Sequence, residues 1–377
     1  MRGYIAKRVF DGAVLHKDTA LIIDGDRVQG LCNTADIPGA CAVTDLGQGI
    51  LAPGFVDLQV NGGGGRMFND DPRVETLATI AAAHARLGAT TILPTLITDT
   101  PEVTAQAIDA VAAAIADGVP GIAGLHLEGP HLSVARKGAH DGALIRAMTE
   151  ADEEILLEAA QRLPVLKVTV APESVTVAQI RRLSGAGIVI SLGHSDCSYE
   201  AALQAFAAGA TCVTHLFNAM SQMTARAPGL VGAALDLGFS AGLIADGVHV
   251  HPTNVTIALR AKETRGNLFL VSDAMATAGS DIDRFTLNGR AVLRADGRLT
   301  LADGTLAGAD LDLATAIANM HIDRAEALTM ATSRPTQVAG LTDGQGTLVP
   351  GGPADFVHLD LDEEPVLRGV WQAGREV

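Results

Sequence analysis

The sequence of 377 residues predicts an α/β fold, a (β/α)8 TIM-like barrel, because strand-like and helix-like segments alternate along its central part. Between residues 50 and 273, short apolar or β-branched runs alternate with alanine-rich segments of helical spacing, as is typical of repeated βα units and a parallel sheet. The runs number eight, at 51–60, 90–96, 122–128, 165–170, 187–194, 211–215, 242–246 and 268–273. An open doubly wound sheet is the alternative, but no GxGxxG turn follows the first run. Eight parallel strands with intervening helices therefore favour a closed barrel.

Helices are predicted between most of these runs and after the last one. They lie at 74–87, 101–116, 149–162, 175–183, 199–208, 252–265, 310–319 and 323–332. The segment 284–301 alternates in hydropathy instead, and it contains the turn dipeptides Asn288-Gly289 and Asp296-Gly297. These features indicate a β-hairpin inserted after the eighth strand.

The two ends of the chain differ from the middle, because both consist of short strands and turns. Neither end is long enough to form a sheet with a buried face alone. We therefore expect residues 1–52 and 345–377 to assemble together into a small β-sandwich domain. Residues 53–344 are expected to form the barrel with its insertion.

Composition and charge narrow the class of protein and its partners. Hydrophobic residues make up 48% of the chain and charged residues 19%, a globular balance with ample material for a large core. With 27 basic and 43 acidic residues the formal charge is −16, and such a surface repels nucleic acid and anionic membranes. Neither is expected as a partner, and an anionic substrate would need local cations.

The cysteines and the first residues predict the cellular compartment. The four cysteines show no CxxC spacing, which in a chain of this size indicates reduced thiols. The first residues lack the apolar run of a signal peptide, and no charge-free stretch of about 18 residues suggests a membrane span. We expect a soluble protein of the cytoplasm.

Polar side chains stand at the ends of most of the eight apolar runs. Barrel enzymes carry their chemistry at the carboxyl ends of the strands, where loops and inward side chains converge. The residues at these positions are Gln59, Asn61, Glu128, His194, His215, Asp246, His249 and Asp273. A single histidine or aspartate there is usually structural, but so many at equivalent positions favour one shared site.

Glu128, His194 and His215 form a ligand set of one carboxylate and two imidazoles. This set suits Zn²⁺ or Fe²⁺ and leaves a position for water, whose pKa the ion lowers to about 7. Asp273 follows the last strand, which closes the barrel beside the first, so its carboxylate can face the metal and take a proton. His126 precedes Glu128 by two residues and is a further possible ligand, although a core role is favoured.

A series of short motifs runs in order over essentially the whole chain. LAPGFVD (51–57) and GTLVPGGPAD (346–355) flank the barrel. Between them lie DLQVNG (57–62), GLHLEGP (124–130), KGAH (137–140), SLGH (191–194), THLFNAM (214–220), ADGVH (245–249) and VSDAM (271–275). The flanking motifs, which lead out of the N-terminal β segment and back into it, resemble the two junctions between barrel and β domain in the amidohydrolase superfamily. The internal motifs resemble those of its N-acetylglucosamine-6-phosphate deacetylase family.

The resemblance implies a role for each matching residue. Glu128, His194 and His215 would be the metal ligands, Asp273 the general base and then the acid, and His140 would polarise the acetamido carbonyl. The residues implied in substrate binding are Ala139, His140, Asn218, Ala219, Arg226, Asp246, His249, Leu306, Ala307 and Gly308. Arg226 and His249 would take the phosphate of N-acetyl-D-glucosamine 6-phosphate, across the interface of an implied homodimer.

The end of strand 1 bears on the number of metal ions. Many amidohydrolases carry His-x-His there for a second metal, whereas this sequence has Gln59-Val60-Asn61. Lys167, the only lysine of strand 4, lies too early in its run to bridge two ions. We therefore predict one divalent metal per subunit, with Zn²⁺ favoured over Fe²⁺.

Other functions stay open on the sequence alone. One is a different amidohydrolase reaction, on N-acetylgalactosamine 6-phosphate or on a cyclic amide, although a cyclic amidase is expected to have the His-x-His and bridging lysine. Another is a non-catalytic amidohydrolase-like barrel that serves as a binding protein. A barrel of that kind is expected to have lost a ligand or the base, yet Glu128, His194, His215 and Asp273 are all present.

Overall fold

Eight parallel strands form the centre of the molecule in the computed structural model, which describes residues 1–262, 266–361 and 365–377. The strands are β1 (Phe55–Val60), β2 (Ala89–Ile97), β3 (Leu125–Glu128), β4 (Leu166–Val170), β5 (Val189–Leu192), β6 (Cys212–Val213), β7 (Ser240–Leu243) and β8 (Leu268–Leu270). Each strand pairs with the next in chain order. Beyond β8, the N–H of Asp273 donates to the Gln59 carbonyl (3.1 Å) and the N–H of Asn61 donates to the Ala274 carbonyl (2.9 Å). These bonds close the sheet, and the predicted barrel is confirmed.

Within these ranges ten α-helices surround the strands. They are α1 (Val74–Arg86), α2 (Pro101–Ala116), α3 (Glu150–Arg162), α4 (Val177–Gly185), α5 (Tyr199–Ala207), α6 (Gly229–Asp236), α7 (Pro252–Ala261), α8 (Leu313–Asn319), α9 (Arg324–Ala331) and α10 (Ser333–Ala339). One helix follows each of the strands β1 to β7, and the last three follow the insertion. The predicted segment 252–265 ends as a helix at Ala261, and residues 263–265 lie outside the described residues. Among the described residues, no helix is both long enough and apolar enough to cross a membrane.

Two of these helices were not predicted, and their burial and length explain why. All residues of α6 except Asp236 are buried, so the helix lacks the polar face whose spacing marks a surface helix. α10 has only seven residues and carries Pro335 near its start, so it lacks a recognisable helical period.

The first apolar run, predicted as one strand over 51–60, is two strands. Ile50–Pro53 pairs with Phe356–Asp360 in a sheet of the chain ends, and only β1 belongs to the barrel. Gly54 separates them at a point where β2 passes closely, since a Cβ there would lie 2.0 Å from Oγ1 of Thr90. The predicted domain boundary at 52/53 thus falls within the strand that precedes this glycine.

The chain ends form two further sheets, one of N-terminal strands and one of strands from both ends, which share an apolar core. The four-stranded sheet contains Arg2–Ile5, Thr19–Asp24, Arg27–Asn33 and Ala42–Asp45. The six-stranded sheet contains Arg8–Phe10, Leu15–His16, Ile50–Pro53, Phe356–Asp360, Val366–Gln372 and Arg375–Glu376. Tyr4 of the first sheet packs with Phe356 and Trp371 of the second, and Trp371 stacks on Phe356 with ring centroids 4.7 Å apart. The ends therefore form the small sandwich that the sequence predicts.

The inserted segment is a sheet rather than a single hairpin. Its antiparallel strands, which pair in chain order, are Arg284–Leu287, Arg290–Ala295, Arg298–Leu301 and Leu306–Ala309. The turn dipeptides lie where expected, with positive φ at Asn288 (48°), Gly289 (75°), Asp296 (51°) and Gly297 (68°). The N–H of Ala309 donates to the carbonyl of Asp273 (3.0 Å). The last strand of this inserted sheet therefore reaches the mouth of the barrel beside β8.

Candidate active site

A cavity of about 370 Å³ lies at the carboxyl ends of the barrel strands. Its wall contains Glu128, His140, His194, His215 and Asp273, none of which is more than 9% exposed. The structure thus brings the predicted metal ligands, the predicted base and the predicted carbonyl-polarising histidine to one place.

The three predicted metal ligands converge on one point. Glu128 is the last residue of β3, and His194 and His215 stand two residues beyond β5 and β6. Nε2 of His215 lies 3.1 Å from Oε1 of Glu128 and 3.0 Å from Nε2 of His194, which is 3.4 Å from the same oxygen. Ligand atoms about 2.1 Å from a tetrahedral ion stand about 3.4 Å from one another. The triad therefore fits one divalent metal ion.

A hydrogen bond orients one of these ligands. Nδ1 of His194 lies 2.9 Å from the carbonyl oxygen of Arg136, to which it can only donate. The proton then resides on Nδ1, and the lone pair of Nε2 is free to bind a metal. The loop after β3 thus holds the histidine that follows β5.

The backbone is strained where the strands end at the cavity. His194, His215 and Asp273 have positive φ, at 47°, 30° and 51°, a region that L-residues rarely adopt and that costs about 1–3 kcal/mol each. Gly193 precedes His194 between two neighbouring strands, and a Cβ there would lie 2.9 Å from Cγ2 of Thr169. Packing of the strands therefore holds the conformations that turn these side chains toward the cavity.

Two amides of strand β1 and its end hold the predicted base. Nε2 of Gln59 donates to Oδ1 of Asp273 (3.0 Å) and to Oε1 of Glu128 (3.2 Å), and Nδ2 of Asn61 donates to Oδ1 of Asp273 (2.8 Å). Burial and the negative charge of Glu128 raise the pKa of Asp273 above its usual range. The positions that carry His-x-His in many amidohydrolases thus hold amide donors to the base and to a ligand.

His140 lies on the loop after β3 and faces the metal ligands. Its Nδ1 is 2.7 Å from Oγ1 of Thr98 and accepts the backbone N–H of Thr98 at 3.4 Å, while its Nε2 lies 3.9 Å from Oε2 of Glu128. Burial and the proximity of His194 hold the pKa of His140 well below its usual range. Because Nδ1 accepts the N–H of Thr98, the neutral form of the ring carries its proton on Nε2 and can present an Nε2–H donor to the cavity.

His126, the alternative ligand, belongs to the barrel interior. Its Nδ1 lies 3.1 Å from Oγ1 of Thr95 and its Nε2 lies 2.7 Å from Oγ1 of Thr169. Both ring nitrogens are thus engaged away from the triad, in agreement with the core role that the sequence favours.

Most residues implied in substrate binding surround the same cavity. Those in its wall are Ala139, Asn218, Ala219, His249, Leu306 and Gly308. Asp246 stands behind the wall, where its Oδ2 lies 2.6 Å from Nδ1 of His249. Ala307 is fully buried in an apolar cluster because the strand Leu306–Ala309 alternates, so that Leu306 and Gly308 face the cavity instead.

Arg226 is the exposed one among the residues implied in substrate binding. It is exposed on the segment between β6 and α6 and does not belong to the cavity wall of its own chain. Within one chain, the structure therefore brings His249 but not Arg226 to the cavity.

Several cavity residues were missed by reasoning from the sequence. They are Ile97, Ala135, Arg136, Gly138, Ile244, Met275 and Thr305. Arg136 immediately precedes the KGAH motif, so its position in the motif's loop was the available signal. Its guanidinium pairs with Asp196 through Nε and Oδ1 at 2.8 Å, on the rim of the cavity.

Comparison with known sequences matches residues 50–377 to the amidohydrolase family. The N-acetylgalactosamine-6-phosphate deacetylase of Shewanella sp. (strain ANA-3) is 47% identical over 334 residues, which cover 87% of this chain and 83% of that protein. The N-acetylglucosamine-6-phosphate deacetylase of Haemophilus influenzae is 36% identical over 366 residues, which cover 94% and 95%.

Solved structures of similar proteins share the whole architecture. The N-acetylglucosamine-6-phosphate deacetylase of Pasteurella multocida superposes with a TM-score of 0.94 at 34% identity, over 100% of this chain and 99% of that one. The enzyme of that name from Mycobacterium smegmatis superposes with a TM-score of 0.90 at 32% identity, over 100% of both chains.

Proposed function

Because the chain belongs to the amidohydrolase family, as its motifs predict, we propose that it deacetylates N-acetyl-D-glucosamine 6-phosphate to D-glucosamine 6-phosphate and acetate. The observation that carries the proposal is the convergence of Glu128, His194 and His215 beside Asp273 and His140 in one cavity. The proposal includes one zinc ion per subunit and a role in amino-sugar catabolism in the cytoplasm.

Different residues of the chain bind the metal, transfer the proton and polarise the carbonyl during amide hydrolysis. A divalent ion held by Glu128, His194 and His215 supplies Lewis-acid activation of water and of the amide carbonyl. Asp273 takes a proton from the attacking water and later delivers it to the departing nitrogen, which leaves as the amine. His140 donates its Nε2–H to the carbonyl oxygen as negative charge develops there.

The substrate-binding roles are proposed from the layout of the cavity. Ala139, Asn218, Ala219, Leu306 and Gly308 would contact the sugar and its acetamide, with Ala307 supporting them from the apolar cluster. His249, whose Nδ1 is held by Asp246, would bind the phosphate through Nε2. The exposure of Arg226 outside its own cavity supports a homodimer in which each chain supplies this cation to its partner's site.

The C4 epimer, N-acetylgalactosamine 6-phosphate, is a second candidate substrate. It is favoured by the relative from Shewanella sp., which is 47% identical and is named as a deacetylase of that sugar phosphate. The two substrates present the same acetamide and phosphate, so both proposals use the same catalytic residues.

The test is acetate release from both N-acetylated hexosamine 6-phosphates and from the two sugars without phosphate. We expect chelator-sensitive release from the phosphorylated sugars, with the glucosamine derivative giving the higher kcat/KM. A higher value for the galactosamine derivative would select the second candidate. Equal rates with and without phosphate would contradict the roles of Arg226 and His249. Absence of release from all four sugars would overturn the proposed function.

A further inference from the structure

The loop that carries His140 is held by the inserted sheet at one charged hydrogen bond. Nη2 of Arg290 donates to the carbonyl oxygen of Ala139. Arg290 is the first residue of the strand Arg290–Ala295 and directly follows the Asn288-Gly289 turn. A tight turn at the edge of the insertion therefore places a cation against the residue that precedes His140.

Apolar packing joins the same two parts of the molecule. Ala139 also packs against an apolar cluster that residues of the inserted sheet, such as Leu287 and Val292, share with Ile97 and Met275 from outside that sheet. The loop is thus joined to the insertion by the hydrogen bond to the Ala139 carbonyl and by this shared cluster, and the hydrogen bond sets the direction in which that carbonyl points.

His140 is consequently held at its backbone and at its ring. Arg290 holds the carbonyl oxygen of the Ala139–His140 peptide, and Thr98 holds the imidazole of His140 through Nδ1 at 2.7 Å. Rotation of this peptide would swing Nε2 of His140 relative to the metal ligands. A displacement of about 1 Å at a reacting group can reduce the rate about 100-fold.

We propose that Arg290 is a positioning residue, which directs the Nε2–H of His140 toward the acetamide carbonyl by holding the Ala139–His140 peptide. The inference rests on the proposed function. The inserted sheet then has two tasks, because it also supplies Thr305, Leu306 and Gly308 to the cavity wall. A sugar seated against that wall meets a carbonyl-polarising group that is held by the same sheet.

The test compares Arg290→Met and Arg290→Lys with Arg298→Met. Arg298 is an exposed arginine of the same sheet that lies outside the cavity wall. In Arg290→Met we expect kcat to fall about 10- to 100-fold with KM within about threefold, since the loss concerns orientation rather than binding. Arg290→Lys should recover most of kcat, because an ammonium group can donate to the same carbonyl, and Arg298→Met should behave as the parent protein.

A double-mutant cycle with His140→Gln identifies the residue through which Arg290 acts. If Arg290 works through His140, Arg290→Met should reduce kcat little further once His140 is replaced. Equal losses in both backgrounds would overturn the proposal. So would an unchanged kcat in Arg290→Met, or a rise in KM confined to phosphorylated sugars, which would make Arg290 a phosphate ligand.

Hydrogen exchange gives a readout that does not depend on turnover. The amides around Ala139 and His140 should exchange faster in Arg290→Met than in the parent protein or in Arg298→Met. Unchanged exchange would count against the hydrogen bond itself. A parent protein that releases no acetate would refute the proposed function, whereas an active parent with an equally active Arg290→Met variant refutes only this inference.

Discussion

The two sides of the cavity differ in how firmly their side chains are held. On the catalytic side, Glu128, His194, His215 and Asp273 lie at strand ends and are almost fully buried. On the recognition side, Asn218, His249 and Leu306 are half-buried on loops or on the inserted sheet, and Arg226 is exposed. With the roles proposed above, the barrel itself holds the groups that break the amide bond, while the loops and the inserted sheet select the substrate.

Metal removal should produce the largest effect, because it disables the whole catalytic side. Lewis-acid activation contributes several kcal/mol, so acetate release from the chelated protein should fall at least about 1000-fold and return with Zn²⁺. Elemental analysis of the active protein should find one ion per chain. Activity that persists in protein shown to be metal-free, or two tightly held ions per chain, would contradict this account of the site.

Replacement of the proposed general base, Asp273, should cause the second-largest fall in rate. Asp273→Asn keeps the shape of the side chain but cannot accept the proton, so kcat should fall about 100- to 10,000-fold. The variant should retain its metal, because the three ligands are unchanged. Full activity in this variant would remove Asp273 from the proton transfer.

Loss of the donor that joins Asp273 to Glu128 should have an intermediate effect. Gln59→Met preserves the length of the side chain and removes both hydrogen bonds, and partners of metal ligands typically contribute about 10- to 100-fold in activity or metal affinity. Gln204→Met, at an exposed position of α5, is the matched control. An unchanged rate and an unchanged metal affinity would show that these amide contacts are dispensable.

On the recognition side, Arg226→Met should raise KM for the phosphorylated substrate with little change in kcat. A charged hydrogen bond contributes about 1.5–3 kcal/mol, which corresponds to about 10- to 100-fold in affinity. The unphosphorylated sugar should be hydrolysed at the parent rate. A drop in kcat with unchanged KM would place Arg226 on the catalytic side instead.

Mixed dimers test whether Arg226 acts in the cavity of its own chain or in the cavity of its partner. In a dimer of one Arg226→Met chain and one Asp273→Asn chain, the site of the first chain has an intact base and receives its partner's arginine. Low-KM activity should therefore appear on mixing and subunit exchange, although neither variant has it alone. No recovery in a demonstrated mixed dimer would mean that each chain uses its own Arg226.

The sequence was sufficient to bring Glu128, His194, His215 and Asp273 to one cavity, because their places at the strand ends follow from periodicity. Eight regular βα units place the ends of β3, β5, β6 and β8 around one opening, whatever the loops do. The recognition side depends on loop paths and on the insertion, which periodicity does not determine. Arg136 and Arg290 were missed for that reason. Ala307 was assigned to the sugar pocket because the strand Leu306–Ala309, whose alternation turns it toward the apolar cluster, was not predicted.

Trp371 is the chain's only tryptophan, and within the sandwich its ring stacks on Phe356 and lies edge-on to Tyr4 of the N-terminal segment, with centroids 5.5 Å apart. Its fluorescence therefore reports the joining of the first and last segments of the chain, whereas far-ultraviolet circular dichroism is dominated by the helices around the barrel. Coincident thermal transitions by the two methods would show that the ends and the barrel unfold as one cooperative unit. An earlier change in fluorescence would identify the sandwich as the part that opens first.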